Sequence, residues 1–301
     1  MQQIHCNCCR LLRGFFVLGR ISNLPTIWSN CLASWLLSGC GFSGPSEIEK
    51  FIWLISCASF LYLGGMFLND AFDIQFDREH RIDRPIPSGI ISVKAVWLWG
   101  IFFMIAGVAS VVLVNVPVAI CVLCLSGSII WYNWIHKKIS WSPLIMGLCR
   151  LFLYLLAGLI AIESINMMVG LGSVILWGYI VGLSNIAKKE STGGDINSWP
   201  SWFLFFPLIF VIIALILFQE KFKVSIELII AMLLYFSWLI RSLKFTFSSK
   251  KPDYGRTVSG LLAGIVLFDL VLASLISPQF YLAFLLLFVF SLLFQRYIPA
   301  T

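Results

Sequence analysis

The stretch FIWLISCASFLYLGGMFLNDAFDIQFDREHRIDRPIPSG, residues 51–89, sets two kinds of chemistry end to end. Up to Asn69 it is an apolar run with no Asp, Glu, Lys or Arg, close to the roughly 20 residues a helix needs to cross a bilayer. From Asp70 onward it crowds Asp70, Asp73, Asp77, Glu79 and Asp83, five of the chain's 14 acidic residues, into 14 positions. Outward from this stretch, similar apolar runs recur on both sides. Read between charged or turn-rich breaks, they give ten candidate spans near 22–42, 51–71, 94–115, 117–135, 142–162, 166–187, 201–218, 226–246, 257–276 and 279–297. Asn115 and Pro117 divide the third from the fourth, and Ser277 and Pro278 divide the last two. Each of these joined runs is too long for one crossing.

Composition points the same way. The 301 residues are 60% hydrophobic and 12% charged, about half the charged fraction of an ordinary soluble domain. Such a chain cannot cover a globular surface with polar groups, and its apolarity excludes disorder. The short alternating strands of a transmembrane barrel are not seen. The expected fold class is therefore all-α, a polytopic transmembrane helical bundle of about nine or ten spans. A single domain over 1–301 is expected, because the longest polar stretches, near 72–93 and 188–200, are too short to fold separately.

With the N-terminus placed in the cytoplasm, 17 of the 21 Lys and Arg residues fall inside and three (Lys50, Lys221 and Lys223) outside, with Arg150 within a span. This bias satisfies the positive-inside rule and accounts for the net charge of +7 without nucleic acid. The expected address is a bacterial plasma membrane, with an organellar membrane compatible with the same composition. Six cysteines lie in or beside apolar runs, where Cys behaves as a small hydrophobe. Cys6, Cys8 and Cys9 cluster beside His5, but a metal knuckle there lacks a second ligand pair, and reversible acylation is an equal alternative. The first twenty residues lack a signal peptide's apolar core and cleavage site, so Met1 is expected to begin the mature protein.

If the second span continues as helix, Asn69, Asp70, Asp73 and Asp77 share one face about 100° wide, with Phe72 and Phe76 on the opposite side. Like charges three and four residues apart repel, so the face is costly unless a cation binds it. Hard oxygens at a flexible helix end suit Mg²⁺, which takes one or two carboxylates plus phosphate oxygens and water. Arg81 and Arg84 follow and can grip phosphate oxygens bidentately, before Pro85, Pro87 and Gly89 turn the chain back. The plainer alternative is a solvated loop of mixed charge.

Asn69-Asp-x-x-Asp73-x-x-x-Asp77, followed by Arg81, Arg84-Pro85 and Pro87-Ser88-Gly89, closely resembles the first aspartate-rich motif of the UbiA superfamily of intramembrane prenyltransferases. Upstream, Arg20-Ile-Ser-Asn23-Leu-Pro25 resembles the opening helix of that family, and the succession of spans fits along nearly the whole chain. Within the superfamily, Ser22-Asn23-Leu-Pro25-Thr-Ile-Trp28-Ser-Asn30 and Met146-Gly-Leu-Cys149-Arg150 look most like EboC-type members. The Asp-Gly-x-x-Ala-Arg signature of the CDP-alcohol phosphotransferases does not match. The resemblance implies a bundle around a lipid-open cavity, where Mg²⁺ and the diphosphate of an isoprenyl donor are held at the cytoplasmic side. It makes Asn69, Asp70, Asp73 and Asp77 the catalytic and Mg²⁺-binding set, with Arg20, Arg81 and Arg84 on the diphosphate. The prenyl group would pass as a carbocation-like species to a small, lipophilic acceptor, aromatic in one version.

Where the family carries its second aspartate motif, this chain reads Gly182-Leu-Ser184-Asn185-Ile-Ala-Lys188-Lys189-Glu190-Ser-Thr-Gly193-Gly194-Asp195, without Asp-x-x-x-Asp. Asn185 and Glu190 stand near the expected metal positions, and Lys188 and Lys189 bring positive charge to the diphosphate. One consequence is a single Mg²⁺, with a lysine ammonium replacing part of the second ion's charge. Another is a carrier that binds an isoprenoid or pathway intermediate without chemistry. An ordinary basic cytoplasmic loop also explains the lysines. Arg150 either approaches the diphosphate or snorkels to the interface, and Glu163 is expected to face water. Asp269, alone in a leucine-rich span, must face the bundle interior as a hydrogen-bonded acid, a partner of Arg150 or an orienter of the acceptor. The 26 Phe, 12 Trp and 8 Tyr can line a prenyl tunnel, though most suit lipid-facing and interfacial positions. An ion transporter fits poorly, because the acids gather at one membrane face.

Overall fold

The structure, a computed structural model, describes residues 2–192, 199–218, 220, 222, 224–248 and 251–299, with the backbone alone for 2–9 and 190–192. Among the described residues there is no strand. The helices are α1 (Gln2–Leu18), α2 (Leu24–Leu37), α3 (Pro45–Phe72), α4 (Ile74–His80), α5 (Val93–Val111), α6 (Val116–Ile135), α7 (Ser142–Ile162), α8 (Met167–Thr192), α9 (Phe206–Leu217), α10 (Ile226–Phe247), α11 (Tyr254–Ser274) and α12 (Tyr281–Tyr297). Each of the ten apolar runs becomes one of the helices α2, α3 and α5 to α12. Among the described residues nine segments are long and apolar enough to cross a membrane, which makes the chain an integral membrane protein.

The first run departs from expectation. Instead of a span over 22–42 it folds as the 14-residue α2, about 21 Å long and so shorter than the hydrocarbon core of about 30 Å. It stops at Ser38, and Gly39 takes a left-handed turn at φ 86°. All of its residues except Trp28 are buried, because α3, α7, α11 and α12 surround it. Protein rather than lipid is its solvent. Its other partner at the centre, α11, is buried along nearly all of its length, whereas α5, α10 and α12 show many apolar side chains to the exterior, as lipid-facing helices do. The α1 helix was not expected, since its first half is too polar to read as a span. The side chains of His5, Cys6, Cys8 and Cys9 lie outside the described residues, and the other six cysteines are free.

Close helix approach places the site. A Cβ on Gly64 would sit 2.9 Å from the Met104 backbone nitrogen, and one on Gly107 would sit 2.7 Å from the Leu61 side chain. Only small residues let α3 and α5 pack backbone to backbone in this way. At the other end of α3 the helix is not continuous. Asp73 closes α3 and opens α4 at φ −85°, ψ 2°, and its own backbone ties both together, with Asp73 N–H donating to Asn69 and Asp77 N–H donating to Asp73. After Arg81 the chain leaves the helix through the expected proline turns, and Gly89 adopts φ 72°.

Candidate functional site

A cavity of about 530 Å³ opens between α2, α3, α6, α7, α8 and α11. Its walls are largely apolar, with Ile27, Leu61, Leu125, Ile129, Leu183 and Leu262 among them, and its polar groups concentrate where α3 meets α4. This is the arrangement of a site for a molecule with one charged end and a long apolar body.

At that end the aspartate face meets a set of basic side chains. Arg84 Nη1 donates to Asp70 Oδ1 and to Asp77 Oδ2, each at 3.1 Å. Arg20 Nη2 donates to Asn69 Oδ1 at 3.3 Å and to Asp70 Oδ1 at 3.4 Å. Arg20 itself holds a left-handed backbone (φ 41°, ψ 50°), a strained conformation for a residue with a side chain. Its carbonyl accepts a 3.0 Å hydrogen bond from the Tyr62 hydroxyl. Asn69 is oriented from the far side by Asn133, to whose Oδ1 its amide donates at 3.1 Å, and Asn133 in turn donates to the Gly65 carbonyl.

Asp73 faces a different partner set. Lys137 Nζ lies 2.8 Å and His136 Nε2 3.4 Å from its Oδ1. Burial opposes its ionisation, but the hydrogen bonds from His136 and Lys137 outweigh it and hold the Asp73 carboxyl below the usual carboxylate range. Lys137 also sits 3.8 Å above the Phe76 ring. Asn133, His136 and Lys137 escaped the sequence reading, although their i, i+3, i+4 spacing on the end of α6 was a usable signal.

Not every expected residue converges. Arg81 lines the cavity beside Phe76, 5.9 Å from its ring centroid. Phe72 and Phe76 do not share a side: Phe72 packs edge-on against Trp97 of α5, while Phe76 lines the cavity, because the break at Asp73 resets the helix phase. Lys188 does reach the cavity, where its ammonium donates to the Ile139 and Ser140 carbonyls at 2.6 and 3.2 Å. Asn185 and Lys189 lie on α8 but are not cavity-lining residues, and the side chain of Glu190 lies outside the described residues. Arg150 neither reaches the acids nor snorkels outward. It is held by Thr26 and Asn30 of α2, and Asp269 is fully buried behind them.

Among the described residues no group of three or more His, Cys, Asp or Glu gathers closely enough to hold a metal ion. The Asp70, Asp73 and Asp77 carboxylates are engaged by basic side chains instead. The chemistry of the donor set nevertheless fits a hard cation: an amide oxygen, three carboxylates, and in particular Asp77 Oδ1, a buried oxygen with no hydrogen-bond partner.

Fold and site together define a membrane-embedded helical bundle with an acidic and basic mouth leading into an apolar cavity. Residues 24–300 match the model of the UbiA prenyltransferase family, and the chain belongs to that family. A digeranylgeranylglyceryl phosphate synthase of Saccharolobus solfataricus is 27% identical over 127 residues, covering 42% of this chain and 44% of the relative. One of Methanococcoides burtonii is 44% identical over 63 residues, 21% of this chain and 22% of the relative. The chain thus spans less than half the length of either. A solved UbiA homologue from Archaeoglobus fulgidus bound to GPP and Mg²⁺ superimposes with a TM-score of 0.60 at 15% identity, covering 89% of this chain and 99% of the other. A structure described under digeranylgeranylglyceryl phosphate synthase in membranes gives 0.59 at 20% identity, over 88% and 97%. These likenesses establish the fold.

Proposed function

We propose that this protein transfers an isoprenyl group from an isoprenyl diphosphate to a lipophilic acceptor within the membrane. The observation that carries this reading is the joining of two environments in one cavity: a charged end lined by Asn69, Asp73, Arg20, Arg81, Arg84 and Lys137, with Asp70 and Asp77 paired to Arg84, and apolar walls running inward from it. A diphosphate fits the first and an isoprenoid tail the second. Family membership and the solved neighbour bound to GPP and Mg²⁺ support it.

Asn69, Asp70, Asp73 and Asp77 would hold Mg²⁺, which supplies a Lewis acid against the charge that grows on the leaving diphosphate. Arg20, Arg84 and Lys137, which the acids already hold at the mouth, and Arg81 beside Phe76 would bind its outer oxygens as charge develops on them. The apolar walls exclude water from the allylic carbon. The donor's C–O bond breaks, a bond from that carbon to the acceptor nucleophile forms, and the nucleophile gives up a proton as diphosphate departs. On the α8 side, the ammonium of Lys188 takes the place of charge that a second metal would bring, so one Mg²⁺ suffices; Lys189, Asn185 and Glu190 have no part in this version. The relatives are named for a glyceryl phosphate lipid rather than an aromatic product, so the acceptor proposed is a lipophilic molecule without an aromatic requirement. These relatives are archaeal. The proposed address is accordingly a cell membrane of unspecified lineage, with the mouth and the N-terminus on the cytoplasmic side.

The test uses purified protein in lipid nanodiscs with geranylgeranyl diphosphate, Mg²⁺ and a lipid extract as acceptor pool. Release of pyrophosphate and a prenylated lipid is expected, and Asp73→Ala or Asp77→Ala removes both. The absence of the second aspartate motif favours one competing reading, an isoprenoid carrier. Tight donor binding with no pyrophosphate under any acceptor would establish that reading and sink this one.

A further inference from the structure

Outside the prenyl cavity, a second pocket of about 370 Å³ opens between α10, α11 and α12. The central helix of the three, α11, packs against both neighbours, while α10 and α12 barely meet each other. The pocket is therefore a groove over Arg256, Ser259 and Gly260 of α11. One turn deeper than Leu292, Trp238 of α10 and Phe288 of α12 meet edge-on with centroids 4.9 Å apart and close the inner end. The Trp238 ring is fixed, because its Nε1 donates to the Gly260 carbonyl at 2.7 Å. A Cβ on Gly260 would lie 2.6 Å from Ser242 Oγ, so glycine is what lets α10 and α11 approach closely enough for that bond.

Two arginines line this groove, each seated on an aromatic ring. The guanidinium of Arg241 lies 4.6 Å from the Trp238 centroid, and that of Arg256 lies 4.1 Å from the Phe245 centroid. A ring face holds a cation in place but accepts none of the five N–H donors a guanidinium carries in its plane. Among the described residues neither guanidinium is hydrogen-bonded or ion-paired. The acid nearest to them in sequence, Asp253, is turned to the start of α11, where it accepts from the Arg256 backbone N–H at 2.9 Å. From α12, Gln295 also lines the groove, and its Nε2 is buried with no hydrogen-bond partner. Three helices thus bring donors to one place without an acceptor, and a buried donor left unpaired is costly. An anion between the two arginines would satisfy the donors and offset the repulsion of two like charges.

We infer that this groove binds one anionic phospholipid, with its phosphate between Arg241 and Arg256 and Gln295 donating to a headgroup oxygen. Alternation of the spans places the groove on the same membrane face as the mouth, at the C-terminal ends of α10 and α12 and the N-terminal end of α11. Basic pockets between helices at the cytoplasmic face suit anionic headgroups. The positive-inside bias alone puts arginines at this face, but it does not seat two of them on rings around a common pocket with an unpaired amide. A lipid rather than a free phosphate is the occupant, because Leu233 and Phe236 of α10 and Leu286 and Phe290 of α12 present exposed apolar side chains on the two flanking helices, where acyl chains can lie. The bound lipid ties α10 and α12 to α11, whose Val258 and Leu262 line the prenyl cavity. This inference does not depend on the prenyl-transfer reading.

The experiment counts bound lipid by native mass spectrometry. Full-length protein, delipidated in detergent, is titrated with phosphatidylglycerol and with zwitterionic phosphatidylcholine, and then challenged with an excess of soluble sn-glycerol 3-phosphate. The wild type is expected to retain one phosphatidylglycerol per chain, about tenfold or more tighter than phosphatidylcholine, and the soluble phosphate should not displace it. Arg241→Gln combined with Arg256→Gln should reduce that preference to less than about twofold. The control pair Lys244→Gln with Arg296→Gln removes the same charge from the same face without touching the groove, and should keep the preference. Gln295→Leu leaves both arginines in place and should weaken phosphatidylglycerol about threefold, which keeps the site testable if the arginine pair fails to fold. Equal binding of the two lipids, displacement by glycerol 3-phosphate, an equal loss in the control pair, or wild-type affinity in Gln295→Leu would overturn the inference. Pyrophosphate release has no part in this readout, so failure of prenyl transfer leaves the lipid preference in place.

Discussion

The mouth of the cavity and its interior solve the same problem, a carboxylate away from water, in opposite ways. At the mouth, Asp70, Asp73 and Asp77 are matched by formal charges: Arg20, Arg84 and Lys137 lie within 2.8–3.4 Å. In the interior, among the described residues, Asp269 accepts from the neutral donors Ser29, Asn30 and Tyr154, and the formal charge of Arg150 is reached through the Asn30 amide. Ion pairs exchange partners readily when another charge enters, whereas a ring of oriented neutral donors around one acid is specific to that acid. An entering ion can displace the cations at the mouth; the neutral donors around Asp269 have no such competitor.

That contrast can be broken or sharpened by substitution. The largest effect belongs to the mouth, where Asp73→Ala or Asp77→Ala should lower pyrophosphate release by about 100-fold or more and leave the thermal unfolding midpoint in nanodiscs nearly unchanged. If either variant instead unfolds early while retaining activity, the mouth is structural. In the interior the order reverses. Asp269→Leu orphans two buried donors, the Asn30 amide and the Tyr154 hydroxyl, each worth about 1–3 kcal/mol, while Ser29 keeps the Thr26 carbonyl, so the midpoint should fall by several degrees whether or not a prenyl donor is bound; Asp269→Asn should recover much of it. Next comes Lys188→Met, expected to weaken donor-analogue binding about tenfold, as measured by isothermal titration. Mg²⁺ stoichiometry in the same titration should be one per chain, and a value of two would refute the substitution of metal by lysine. The smallest effect is that of Tyr62→Phe, which removes the hydrogen bond to the Arg20 carbonyl, worth about 1 kcal/mol, and should appear as a slight loss of donor affinity.

The helices were legible because apolar runs and their Pro, Gly and Asn breaks are local signals, and the ten runs each became one helix. The length of α2 was not. Side chains buried by protein and side chains buried by lipid have the same apolarity, so nothing in residues 22–42 marks where α2 gives way to the turn at Gly39. The acidic half of the site was readable from its spacing, and Arg84, Arg20, Asp70 and Asn69 do meet. Its partners on α6 were not, because Lys137 and His136 look like the basic flank that any cytoplasmic loop carries. Phe76 was assigned the wrong side because a helical wheel assumes an unbroken helix, and Asp73 breaks it. Lys188 was noticed for its charge, but its anchorage on Ile139 and Ser140 depends on a chain reversal some 48 residues earlier, which no local pattern records.

The short helix α2 does more than fill the centre. Arg20 precedes it at the mouth, and Thr26, Ser29 and Asn30 sit on it in the interior, so one rigid rod sets the spacing between the two charged stations. Six residues separate Leu24 from Asn30, about 9 Å of rise. Like the graduations on a ruler, that interval fixes where the buried Thr26, Ser29 and Asn30 stand relative to the mouth. Lengthening the rod by a single residue would shift every mark beyond the insertion by about 1.5 Å and turn it by about 100°, and the cavity would change shape without any alteration of the residues that line it.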